Sequence, residues 1–216
     1  MSGFSNSPKL LKGGIVLIDP VTSAVKRIIA LQYNPDTISR TLQVQGVGTE
    51  GGDRSEALRL KGPPVETFKV EAEIDATDQL ELSDGTATEI GLHAQLAALE
   101  IIVYPTSAQL QNAHSMAQSG TLEIAPVESL LTVFVWSKQR IVPVRFTEFS
   151  ITEEAFDATL NPIRAKISLG MRVLSVNDVG FDHKGGSLFM SYLQNKEQLA
   201  LKSKAGAFSS LGITGI

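Results

Sequence analysis

The chain has 216 residues, 43% hydrophobic and 19% charged, with 19 Lys and Arg against 23 Asp and Glu for a formal charge of −4. That size suits one globular domain with or without an appendage, and the mild acidity excludes a general nucleic-acid binder, which needs clustered cations on phosphate. The lack of cysteine removes disulfide frameworks, zinc–thiolate sites and thiol catalysis. No apolar run approaches the roughly 18 residues of a membrane span, and Met1 to Gly14 is polar, without the apolar stretch of a secretory leader.

In chain order, Ile15 to Ile18, stopped by Asp19 and Pro20, predicts a short buried strand. Val25 to Tyr33 predicts its partner, ended by Asn34, Pro35 and Asp36, because proline donates no ladder bond. Ile38 to Val47 predicts a third strand. A long glycine- and proline-rich connection follows over residues 46–64, with Arg54, Arg59 and Lys61 in its charged middle. Phe68, Val70, Ala72 and Ile74 alternate with Lys69, Glu71, Glu73 and Asp75, the cleanest period-two segment in the chain, with one apolar and one charged face.

Thr86 to Val103 predicts one helix, opened by a Thr86–Glu89 capping box. Ile90, Ala94, Ala97 and Ile101 form its stripe, and Leu92, Leu96 and Leu99 widen it. Residues 106–126 are small and polar and carry no firm assignment. Leu130 to Trp136 is apolar on both faces, the pattern of a central strand; Ile141 to Phe149 and Ala165 to Val173 follow. Ile151 to Ile167 predicts a strand, a wide connection closed by Asn161–Pro162, and a second strand, with Arg164 and Lys166 free for an interface. The expected division is a β domain over residues 1–178 and a C-terminal helix and flexible tail over 179–216. Gly185–Gly186–Ser187 serves there as a break and N-cap, and Leu188, Tyr192 and Leu199 as apolar positions.

Candidate chemistry is sparse. His93, His114 and His183 show no metal-ligand spacing, and no Gly-x-Ser-x-Gly elbow or phosphate-binding glycine loop is present. The Glu71, Glu73, Asp75 row reads as a solvated strand face, and neither it nor Glu153–Glu154 carries a signal of the cleft that catalytic carboxylate pairs need. Asn34 can bond its own backbone two residues on, and Arg40 can pair with a carboxylate across an interface. No catalytic, cofactor or metal site is expected.

Three segments together resemble one family. The Leu31–Gln–Tyr33–Asn34–Pro35 turn running to Arg40, the loop Arg54 to Pro64 ending Gly62–Pro63–Pro64, and Ile151 to Leu174 with its Asn161–Pro162–Ile163–Arg164–Ala165 junction are similar to the tube-type baseplate proteins of contractile injection systems. The likeness spans about residues 12 to 178. It implies a mainly β (α+β) fold: a phage-tail-tube-like antiparallel β-barrel or sandwich with one flanking helix, here with a C-terminal helical extension. It implies a hexameric ring at the junction of inner tube and baseplate hub or spike, with the spike or hub protein, the inner tube protein and other baseplate or sheath components as partners. No nucleic acid and no membrane insertion are expected.

The family's LysM signature, Gly-Asp-Thr, is missing after Val179. Inner tube or tube-initiator protein of the same machine is the nearest alternative role, and a carbohydrate-binding β-sandwich module is the alternative of another class. The expected place is the bacterial cytoplasm, within an assembled phage-tail-like particle, retained or released. Subunit contacts are expected at Asn34, Pro35, Arg40, Arg54, Arg59, Lys61, Arg164, Leu188 and Tyr192. Lys69, Glu71, Glu73 and Asp75 are expected to face the lumen.

Overall fold

The computed structural model describes residues 11–46, 59–120, 128–204 and 206–215. Its strands are Gly14–Ile18 (β1), Val25–Ala30 (β2), Ile38–Gln43 (β3), Val65–Asp75 (β4), Leu131–Ser137 (β5), Arg140–Phe156 (β6) and Pro162–Val173 (β7). All pair antiparallel in one sheet ordered β2-β1-β5-β6-β7-β4-β3. The mainly β, α+β class implied by the sequence is therefore the observed one. The third strand stops at Gln43, short of the expected Val47, which lies outside the described residues. The 46–64 connection is pinched at its base, where Gly46 pairs with Leu60 and the Lys61 N–H donates to the Gln45 carbonyl at 2.8 Å.

Period-two alternation places Phe68, Val70 and Ala72 of β4 in the core beside Ala165, Ile167, Leu169 and Met171 of β7. The sheet curls tightly. Phe68 on β4 and Phe134 on β5 have ring centroids 5.7 Å apart, although β6 and β7 lie between their strands. Beyond β2, the Gln32 side-chain amide donates to the Asp75 carbonyl at 2.7 Å and accepts from the Asp75 N–H at 3.0 Å. That bridge ties the β2 end of the curl to the far end of β4.

The β6–β7 ladder shifts register between Phe146 and Glu148. Before this bulge Val142, Val144 and Phe146 face the core; after it Phe149 and Ile151 do, because one extra residue changes the parity of the pleat. Gly170 opposes the bulge, and a Cβ there would lie 2.8 Å from the Glu148 Cβ. Only a residue without a side chain fits.

Between β4 and β5 the described residues form four helices: Thr77–Glu81 (α1), Gly85–Ile90 (α2), His93–Glu100 (α3) and Ser107–Gln118 (α4). The single helix expected from Thr86 to Val103 is broken at Gly91, which has φ +56°. The Leu92 N–H donates to the Pro162 carbonyl at 2.9 Å, and a Cβ on Gly91 would sit 2.5 Å from that oxygen. The break is thus built by close approach of the β6–β7 connection. The cap is Asp84, whose carboxylate accepts from the Ala87 N–H at 3.0 Å, and Thr86 lies inside the helix. Leu92, Leu96 and Leu99 are the buried positions, while Ile101 on the expected stripe is 53% exposed. The unassigned stretch contains α4, opened by a Thr106–Gln109 capping box and with no buried residue.

Val176–Val179 (α5) and Lys184–Leu201 (α6) follow β7, and a 3-10 turn at Phe208–Leu211 ends the described chain. The N-cap of α6 is His183, whose Nδ1 accepts from the Gly185 N–H at 2.9 Å, not Ser187. Gly185 and Gly186 belong to the helix. Phe189 and Tyr192 join the core cluster, so the helix expected outside the β domain lies on it. No helix among the described residues is long and apolar enough to cross a membrane.

Candidate functional site

Among the described residues, the part of the sheet formed by β6, β7, β4 and β3 has two edges without strand partners. β6 pairs with β5 only from Arg140 to Val144 and with β7 along nearly its whole length. Residues 145–156 of β6 therefore present one open edge. β3 covers β4 only from Val65 to Val70, and its own outer side is unpaired. β6, β7, β4 and β3 form a four-stranded blade with an open edge at each side.

One face of this blade is polar. On β4 it carries Lys69, Glu71, Glu73 and Asp75, opposite the core face, in the single row expected. Register brings Arg164 beside Asp75 and Glu154, and Lys166 beside Glu73 and Thr152. Arg164 Nη2 lies 2.8 Å from Asp75 Oδ2 and its Nε 3.5 Å from Glu73; Lys166 Nζ lies 2.9 Å from Glu154. The expectation that Arg164 and Lys166 stand free is therefore corrected: both are engaged within the chain. These bonds raise the pKa of both cations, through Asp75 for Arg164 and through Glu154 for Lys166. Asp75 is held below the usual carboxylate range, first by the Thr77 hydroxyl and then by its backbone N–H and Arg164. Such exposed pairs contribute little stability. Their effect is a surface of mixed, locally neutralised charge.

The other candidates are dispersed. Asn34 does not bond its own turn: its Oδ1 accepts from the Gly13 N–H at 2.9 Å and its Nδ2 donates to the Leu11 carbonyl at 2.7 Å, which moors the start of β1. The Tyr33–Thr37 turn with Pro35 borders a cleft of about 500 Å³ against Glu71, Glu73, Thr152 and Lys166, beside the polar face. Arg59 and Lys61 are exposed at the pinched loop base, and Arg54 lies outside the described residues. Leu188 is half-buried on α6.

Arg40 and Tyr192 meet a carboxylate within their own chain. Glu66 is 3% exposed, its Oε1 accepts from the Tyr192 hydroxyl at 2.8 Å and its Oε2 from Lys196 Nζ at 2.8 Å, with Arg40 NH1 at 3.8 Å. Burial raises the Tyr192 pKa. Sequence reasoning did not single out Glu66. Its signal was available: it shares the parity of Phe68 and Val70, a charge in phase with the apolar face. The histidines do not converge, and no cluster that could hold a metal ion exists among the described residues.

At the tip of the β6–β7 hairpin, Asp157 organises the turn that the sequence assigned to Asn161–Pro162. Its carboxylate accepts from the Asn161 side chain at 2.9 Å, the Asn161 N–H at 2.8 Å and the Thr159 N–H at 2.8 Å. These bonds, the Asn161 side chain foremost, lower its pKa from 3.8 to about 2. A carboxylate held below its unfolded value stabilises the fold fully above the unfolded pKa and loses that contribution as pH falls through the folded one. Asp157→Asn is therefore expected to lower the unfolding temperature at pH 5 and 6, with the gap to wild type closing towards pH 2. Melting curves across that range check it; a gap independent of pH would refute the assignment.

No family model matches the chain, and no curated protein matches it. Solved structures similar to it include a chain from the tail of an empty gene transfer agent particle with C6 symmetry, 16% identical over 79% of this chain and 95% of that one, TM-score 0.28. Another comes from the virion of a native gene transfer agent particle, 14% identical over 74% of this chain and 90% of that one, TM-score 0.26.

Proposed function

We propose that this chain is a non-enzymatic structural subunit of a contractile, phage-tail-like injection system, forming a ring at the junction of inner tube and baseplate hub. The observation that supports this reading most is the blade with an open edge on each side. Unpaired strand edges are a hazard that soluble proteins ordinarily cover. Two different edges on opposite sides of one sheet make a head-to-tail contact, and such contacts close into rings when the rotation allows. Copies joined β6 to β3 would continue the sheet around an axis. Lys69, Glu71, Glu73 and Asp75 would then line a lumen whose mixed charge gives passing protein no large apolar or single-sign surface to adhere to. The resemblance of Leu31 to Arg40 and of Ile151 to Leu174 to tube-type baseplate proteins points the same way.

The chain has no cysteine, which permits a direct test. Ser39 lies on β3 and Ser150 on β6, both on the polar face. With hub and tube partners present, a set pairing Ser39→Cys or Thr41→Cys with Ser150→Cys or Thr152→Cys is expected to yield, on oxidation, a ladder of covalent multimers ending in a closed ring. Single cysteine variants should yield none. Dimers from single variants, or unlinked protein from every pair, would count decisively against the arrangement.

A further inference from the structure

The other free edge of the sheet faces a slot. Among the described residues β2 pairs only with β1, and its outer side with the following Leu31 lies across from Ala72 to Ile74 of β4. The space between holds about 570 Å³. Its floor is apolar, built from Leu99, Ile167 and Leu169, and its charged groups Lys12, Arg27 and Glu73 are exposed.

Two observations show what chemistry the slot accepts. At its Asp75 end the gap is spanned by the Gln32 amide, which donates to the carbonyl and accepts from the N–H of the same residue. A side-chain amide there takes the place of a strand's backbone amide. Glu73, two residues before Asp75 on β4, turns its backbone groups to the same side, and β3 does not reach it. Second, Gln95 lines the slot and its side-chain oxygen is buried with no hydrogen-bond partner, so a small rotation of this amide would offer an incoming N–H an acceptor that is otherwise unmet.

An extended, uncharged segment with alternating apolar residues fits these requirements. The C-terminal residues 206–215 contain no charge, and Leu211 and Ile213 share one face when extended. Phe208, Leu211 and Ile213 are 49%, 72% and 42% exposed, and none lines the slot of its own chain. The preceding helix α6 is fixed to Glu66, six residues before Ala72, about 20 Å away along β4 at the ordinary strand rise. We infer that the slot between β2 and β4 receives the C-terminal tail of a second copy of this chain as an added strand. This contact uses neither edge of the proposed ring, so it joins copies in a second direction.

The test uses full-length protein in two forms. Leu211→Glu/Ile213→Glu disables the tail; Ala98→Trp, or Ile28→Glu at the 70% exposed rim, disables the slot. Wild type is expected to self-associate with concentration in sedimentation, and each blocked form to do so at least tenfold more weakly. An equimolar mixture of the two forms should pair one to one, since each supplies what the other lacks. A synthetic peptide of residues 206–215 should bind the tail-blocked form and not the slot-blocked one. A mixture that associates no better than its parts overturns the inference. A wild type that stays single while the mixture pairs overturns it too, by placing the tail in its own slot. Rings joined through β3 and β6 would survive both sets of substitutions, so failure of this contact and failure of the ring remain distinct.

Discussion

Gly186→Ala is expected to destabilise the protein by about 3 kcal/mol, a fall in unfolding temperature of about 6–12 °C for a chain of this size. Helix propensity gives the opposite sign, since alanine within a helix is favoured over glycine by about 1 kcal/mol. Gly186 sits in the first turn of α6, and a Cβ there would lie 1.9 Å from the Gly180 carbonyl oxygen and 2.9 Å from its carbon. Both obstacles are backbone, and Gly180 itself has φ +74°, so the turn cannot yield by rotating a side chain. Either α6 moves off Phe189 and Tyr192's pocket or the 180–183 turn is rebuilt. Thermal unfolding decides the sign. A variant as stable as wild type would show that the helix and turn do not approach this closely.

Glu66→Ala carries an expected effect of the same size, about 2–4 kcal/mol. It strands the buried Tyr192 hydroxyl and removes the carboxylate from Lys196 and Arg40. Both cations keep about a third of their side-chain surface in water, so they rehydrate and the loss stays below that of a wholly enclosed pair. Lys196 Nζ also lies 4.0 Å from the centre of the Tyr192 ring, a contact that survives the change. Glu66→Gln keeps an acceptor for the phenol and should cost about half as much. Limited proteolysis gives the spatial readout: cleavage should quicken around residues 180–204 in the alanine variant and much less in the glutamine one. Equal losses for the two variants would mean that the charge alone holds α6, and no loss for either would remove Glu66 from the account.

The blade was the most legible part of the chain. Strict alternation from Phe68 to Asp75 fixes one buried and one polar face whatever the neighbours do. The passage of apolar residues from Val142, Val144 and Phe146 to Phe149 and Ile151 carries the bulge in its change of parity. Features made by distant segments were not legible. Gly91 breaks a helical pattern because the carbonyl of Pro162, on another strand, is bonded there by the Leu92 N–H. Arg164 looked available because its partners Asp75 and Glu73 lie on another strand. His183 caps α6 because Gly186 must lie against Gly180, so the helix starts one turn before the nearest serine. The polar face could be read from spacing, whereas the open edges that give it a candidate role required the strand order.

The bulge at Phe146 to Glu148 has a bearing on how this sequence can change. Upstream of it β6 is paired with β5 as well as β7; downstream it belongs to the blade. Losing Thr147 would remove the extra residue and leave a regular ladder, in which Glu148, Phe149 and Ile151 keep both their partners Gly170, Leu169 and Ile167 and their faces. Deletion of the exposed Thr147 should therefore be tolerated, whereas loss of one residue within the regular ladder from Phe149 to Glu154 would turn over every side chain on one side of it.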